Sequence, residues 1–262
     1  MGIKATIKKI VGDVTIYRMR EFKNRVTQNE YYKREQEEIP RRKMFYSQFV
    51  RENDLCFDVG ANSGNRVLPL LAIKARVVAV EPQEFCQKIL KLKFKDKIEI
   101  VPKGLGEKEE VREFYISDSS YLSSFSTNWI DSVKKNRFKE NNWNTVRKVQ
   151  MTTLDKLIQA YGVPAFIKID VEGYELEVLK GLTTAIDMIS FEYTTPELTA
   201  NVINCIERIR TINPAIECNF SVGENMHFAL NEFIDADKML HFVNSREFID
   251  TGFGDIYVRR KK

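Results

Sequence analysis

The chain has 262 residues, 43% of them apolar and 30% charged, a composition that suits a globular protein with one large core and an appendage. Its 41 basic and 37 acidic residues leave a formal charge of +4, which argues against nucleic acid, whose footprint is a strong basic cluster on one face. No stretch approaches ~18 uncharged apolar residues and the start lacks a signal-peptide pattern, so a soluble, cytoplasmic chain without a transmembrane segment is expected.

Residues 1–50 read as a helical extension. Lys4, Lys8, Lys9, Arg18 and Arg20 near the start, like Arg259, Arg260, Lys261 and Lys262 at the tail, read as solvated termini. Met1-Gly2 followed by Thr6 fits the myristoylation pattern, which has meaning only in a eukaryotic host. Residues 30–38 predict a helix that Pro40 interrupts, and a second short helix follows over 43–50.

Beyond residue 50 the periodicity changes. Residues 55–59, 76–81, 97–101, 166–171 and 188–193 are short, β-branched and nearly continuous apolar runs, as in strands buried on both faces. Between them lie helical patterns over 67–74, 84–94, 154–161, 175–182 and 197–212, with Thr152 and Asp155 spaced to cap the third. This alternation predicts an α/β protein with a parallel sheet covered on both faces.

Residues 215–221 and 226–231 then read as neighbouring strands, 235–244 as a helical turn and 255–259 as a last strand forming an antiparallel edge. Residues 117–144 break the rhythm. They are polar, carry Tyr121, Phe125, Trp129 and Trp143 outside any helical period, and read as a lid or binding loop. Cys56, Cys86, Cys205 and Cys218 lack paired spacing and are expected to be reduced.

Ligands of open parallel sheets lie beyond the carboxyl ends of the strands. After the first strand, FDVGANSGN offers Gly60 and Gly64 but places Asn62 where a dinucleotide turn needs its second glycine, which argues against a pyrophosphate and so against NAD or FAD. Glu81, at the end of the second strand, stands where a carboxylate can accept hydrogen bonds from both hydroxyls of a ribose. A ribose without a pyrophosphate fits S-adenosylmethionine. Its amino-acid tail would lie against the Gly60–Gly64 turn and the following helix start, with Asp58 attracting the ammonium.

FDVGANSG, VAVEP, TTLDKL, FIKIDVEGYELEVLKG and SFEY, in this order, resemble the FkbM family of S-adenosylmethionine-dependent methyltransferases over most of residues 51–200. The closing GDIYVRR is similar to the family's last strand. The resemblance implies a Rossmann-like class I methyltransferase sheet over residues 51–262, with seven mostly parallel strands and the last antiparallel. It also implies a cofactor held by Gly60, Ala61, Asn62, Gly64, Glu81 and Pro82, adenine lined by Gly104 and Leu105, and a serine pair at Ser123 and Ser124 on the substrate side. The family's usual Ala-Leu-Ser-Asp is here Lys103-Gly104-Leu105-Gly106, a departure that bears on any side-chain contact to the adenine amine.

Methyl transfer to an alcohol needs in-line alignment and a proton acceptor. Asp170 at the end of the fourth strand is placed to face the methyl group and the cofactor. Glu172 is expected at the start of the next helix, where its charge also suits the dipole, and Glu192 ends the fifth strand; these three form the catalytic set. Glu175, one turn along, and Lys168, an interior lysine that needs a carboxylate such as Asp170 or Glu192, join the substrate side. His227 and His241 have no metal-ligand spacing, and no metal is expected. His227 could still approach the mouth of the site. The family's tendency favours a hydroxyl of a small molecule or saccharide as acceptor; oligomeric state is not legible. Two alternatives stay open: ribose 2′-O-methylation of nucleic acid, for which no second lysine completes the known tetrad, and a non-catalytic cofactor-binding module acting through partners.

Overall fold

A computed structural model describes residues 13–261; the Met1-Gly2 pattern, Lys4, Lys8, Lys9 and Lys262 lie outside the described residues. The strands are β1 (Leu55–Val59), β2 (Arg76–Val80), β3 (Glu99–Val101), β4 (Gly104–Leu105), β5 (Val111–Ile116), β6 (Thr145–Thr152), β7 (Phe166–Ile169), β8 (Met188–Thr194), β9 (Ile216–Val222), β10 (Ile234–Asp235) and β11 (Phe253–Arg260). The main sheet has the order β10-β9-β11-β8-β7-β1-β2-β3. From β3 to β8 the pairs are parallel, and helices Val67–Ala72, Glu84–Phe94, Leu154–Tyr161, Glu175–Lys180 and Thr199–Ile212 alternate with the strands.

Period-two alternation gives each face its own core. Leu55, Phe57 and Val59 of β1 pack into one apolar cluster, while Cys56 packs into the other with Phe45, Tyr46 and Phe166. Every residue of β1 is buried, as a central strand covered on both sides requires. The four cysteines are buried and free. Among the described residues, no helix is long and apolar enough to cross a membrane.

The sheet corrects several expectations. The last strand, β11, is no edge: it runs antiparallel between β8 and β9. The edge is the two-residue β10, paired with β9, and residues 226–231 form no strand. There the Asn219 side chain donates to the carbonyls of Leu230 and Glu232, so a side chain takes acceptors that a backbone ladder would use. Pro40 does not end its helix, which runs over Glu30–Tyr46. Phe45 and Tyr46 are 1% and 0% exposed, and burial of this last turn among Phe49, Phe166, Phe228 and Tyr257 outweighs the hydrogen bond that proline removes. A further helix, Asp13–Thr27, precedes it.

Residues 117–144 are not a plain loop. They include the helix Thr127–Lys135 and a small core of Leu122, Trp129, Ile130, Val133 and Trp143, with the Trp143 indole donating to the Leu122 carbonyl at 2.5 Å. A second sheet, β4-β6-β5, flanks this segment. Its strands escape the apolar pattern because most of β6 faces outward. The cap of Leu154–Tyr161 is Thr153, which accepts from Lys156 N–H, one residue beyond the expected Thr152.

Candidate active site

The turn after β1 is fixed by close backbone approach. Gly60 has φ +86°, and a Cβ there would lie 1.8 Å from the Asp170 carbonyl oxygen at the end of β7, so only glycine fits. Gly60 and Ala61 donate their N–H groups to the Val80 carbonyl. Asn62 (φ 46°) donates its backbone N–H to Glu81 Oε2 at 2.8 Å, and Gln83 N–H binds Glu81 Oε1 at 2.7 Å. The Glu81 carboxylate thus ties the two strand ends together while each oxygen keeps acceptor capacity. Burial pushes its pKa up to about 7 against the pull of those two backbone bonds.

A cavity of about 280 Å³ opens here, lined by Gly60, Ala61, Asn62, Glu81, Pro82, Gly104, Leu105, Ser123, Asp170, Glu172 and Glu192. Five other expected residues lie behind it. Gly64 faces the Phe94 ring, 2.4 Å from a built Cβ, so its absent side chain serves packing. Asp58 is 1% exposed, one oxygen has no hydrogen-bond partner, and burial pushes its pKa up to about 6; it offers no open face to an ammonium. Ser124 is fully buried and donates to the Glu172 carbonyl at 2.7 Å. Lys168 is fully buried, 3.0 Å from Asp170 Oδ2 and 2.9 Å from Asp255 Oδ1. Burial alone would lower its pKa, yet these two carboxylates raise it well above the ordinary value.

Glu175 is likewise no substrate-side group. It is 1% exposed and accepts from Val171 and Gly173 N–H at 3.2 and 3.0 Å and from Asn201 at 3.3 Å. Those bonds hold the turn on which Glu172 sits at φ 56°. Glu172 therefore stands in a left-handed turn ahead of the Glu175–Lys180 helix, not at the helix start, and points its carboxylate back to the cavity. His227 is exposed beside Asn225 and does not line the cavity.

Asp170, Glu172 and Glu192 have carboxylate oxygens within 4.8 Å of one another, an arrangement that could also hold a cation. They come from the end of β7, the next turn and β8, and the structure brings together the three acids that the strand-end reading grouped as one set. Burial and mutual repulsion raise Glu172 and Glu192 well above the ordinary carboxylate range. Burial also acts to raise Asp170, but Lys168 and Arg66 overcome it and hold this carboxyl low. Neighbouring acids with pKa values driven apart are a signature of acid–base sites.

Sequence reasoning missed the cavity's other liners, among them Arg42, Asn65, Arg66, Phe114 and Glu224. Phe125 and Tyr121 of the aromatic segment 117–144 also line the cavity, and the Phe125 ring packs on Phe114, 4.5 Å between centroids. Arg42 comes from the N-terminal extension and Glu224 from the turn after β9; neither carries a motif.

A sheet in which the final antiparallel strand slots between the fifth and sixth, with a glycine turn and a carboxylate at the ends of the first two strands, defines a Rossmann-like class I methyltransferase fold. Residues 58–244 match the methyltransferase FkbM domain. The chain belongs to this family, whose cofactor is S-adenosylmethionine. It is similar to the hexuronic acid methyltransferase AglP of Haloferax volcanii, 29% identical over 145 residues, 54% of this chain and 55% of that protein. The match thus spans about half of that relative's length. Solved structures with likeness include a TehB-like methyltransferase from Corynebacterium glutamicum (9% identity, 94% of this chain and 96% of the other, TM-score 0.45). Another is the precorrin-6y C5,15-methyltransferase from Geobacter metallireducens (10%, 84% and 87%, TM-score 0.42).

The residues present fit this cofactor. Glu81 retains acceptor capacity for two ribose hydroxyls, and Asp170, held ionised within the carboxyl cluster, complements a cationic donor.

Proposed function

We propose that the chain transfers a methyl group from S-adenosylmethionine to a hydroxyl of a small molecule or saccharide, with residues 51–262 as the catalytic unit and residues 1–50 as an extension that lends Arg42. The observation that carries this reading is the convergence of Asp170, Glu172 and Glu192 on one cavity that Glu81 also lines. A pure cofactor-binding module has no need of such a cluster. The named activity of the hexuronic acid methyltransferase supports a saccharide acceptor.

In this reading Glu81 orients the ribose, and Gly104 and Leu105 lie against the adenine. The cofactor supplies a methyl group activated on a sulfonium. Asp170, kept ionised by Lys168, accepts the proton of the acceptor hydroxyl, and Glu192 beside it shares that proton. Burial and the charge of Asp170 favour the protonated forms of Glu172 and Glu192, and a bound cation would act against that. Lys168 and Glu175 are positioning residues: one fixes the charge of Asp170, the other the Glu172 turn. Ribose 2′-O-methylation is disfavoured because Lys168 is sealed behind Asp170 and Asp255.

Incubation with methyl-labelled S-adenosylmethionine and a panel of neutral sugars, uronic acids, lipids and RNA tests the reading. Label on a saccharide hydroxyl is the expected result; label on RNA alone would overturn the acceptor class.

A further inference from the structure

Two guanidinium groups converge at one end of the cavity. Arg66 Nη2 is 2.7 Å from Glu224 Oε1, and Arg42 Nη2 is 3.1 Å from Glu224 Oε2. Arg66 is 9% exposed, and its Nη1 is buried with no hydrogen-bond partner; Arg42 Nε also lacks one, lying 3.6 Å from Glu38 Oε2. All three residues line the cavity.

We propose that Arg66 and Arg42 form a carboxylate-binding subsite, and that Glu224 fills it until the carboxylate of a ligand takes its place. The proposal rests on the methyltransferase reading. Two sources share the chemistry: the amino-acid tail of the methyl donor and a uronic acid acceptor.

A buried guanidinium nitrogen without an acceptor is costly, and a neutral ligand does not need two such groups. Paired arginines match the planar fork of a carboxylate. The present occupant is easy to displace. The Glu224 side chain is 53% exposed, so its carboxylate can turn into water, while Arg41 Nη2 holds the Glu224 carbonyl at 2.7 Å and keeps the turn in place. The subsite also communicates with the reacting cluster, since Arg66 helps to hold Asp170 ionised. It gives the N-terminal extension a task, because Arg42 comes from its helix.

Calorimetry on the full chain tests this with two matched pairs of probes. S-adenosylhomocysteine is set against 5′-methylthioadenosine, which lacks the amino-acid tail, and methyl glucuronoside against methyl glucoside. Glu224→Gln, an exposed change that keeps the Arg41 bond, should tighten one carboxylate probe about threefold to tenfold and leave its uncharged partner unchanged. Arg42→Gln should weaken the same probe about tenfold, with the melting temperature reported alongside. Response of the homocysteine compound assigns the donor tail; response of the glucuronoside assigns the acceptor. If Glu224→Gln weakens both charged probes, or if neither variant alters either of them, the subsite is refuted. Failure of the methyltransferase reading looks different: the wild-type protein would bind neither adenosine compound, whatever the glucuronoside does.

Discussion

The two ends of the cavity are built in opposite ways. At the Gly60–Glu81 end, backbone N–H groups hold the Glu81 carboxylate, and the partners are near in sequence: Asn62 N–H and Glu81 are 19 residues apart. At the Arg42–Arg66–Glu224 end, side chains hold one another across 182 and 158 residues, and the central carboxylate is half in water. Backbone-fixed geometry is pre-formed and loses little freedom on binding, whereas exposed side-chain ion pairs exchange partners readily. One end is pre-formed for its ligand, and the other must exchange a partner to take one.

The largest expected effect attacks the rigid end. Gly60→Ala would force a Cβ into the Asp170 carbonyl, and a loss of about 4 kcal/mol or more is expected, read as failure to give a cooperative thermal transition. A protein that melts as the wild type does would show that this end is less rigid than its contacts imply.

Asp170→Asn comes next. Turnover should fall by about 10²–10⁴, while S-adenosylhomocysteine affinity changes by less than about threefold. Equal loss of both would assign Asp170 to binding and remove it from chemistry.

Glu81→Ala should weaken S-adenosylhomocysteine by about 30- to 100-fold, since it deletes ribose acceptors and leaves the Asn62 and Gln83 N–H groups unpaired. An unchanged affinity would mean that the ribose lies elsewhere.

The smallest effect is a pH dependence. Glu81 is raised to about 7 in the free protein, and the ribose hydroxyls donate to its ionised form. Below pH 7 binding must therefore expel a proton, so affinity should fall by up to about tenfold per unit of decreasing pH and level off above pH 7. Glu81→Gln should flatten the profile; a slope that survives it belongs to another group.

How much of the site was legible follows the same divide. Gly60, Asn62, Glu81 and Asp170 could be located because each sits at or just beyond a strand end, and strand ends are marked by apolar runs that stop; Gly104 came only from the family resemblance. Lys168 was read as an interior lysine paired with a carboxylate, and it is buried against Asp170; Gly64, Asp58, Ser124 and Glu175 lie in the expected neighbourhood but behind the cavity rather than on it. A residue's side of a strand or turn depends on register and on which face the next helix covers, and neither is written locally. The aromatic segment 117–144 looked like a loop since its helix packs a private core of Trp129 and Trp143 rather than the main one.

The sequence by itself determined the sheet, through short β-branched runs alternating with amphipathic segments, and the class of cofactor, through a turn that lacks a glycine and a carboxylate that follows it. Both are written in patterns of residues close along the chain. Only the tertiary structure decided that the last strand enters the sheet, that three acids of one site drive their pKa values apart, and that an arginine of the N-terminal helix shares the cavity. Those outcomes depend on burial and on charge pairs between distant segments, and such energies exist only once the chain has packed.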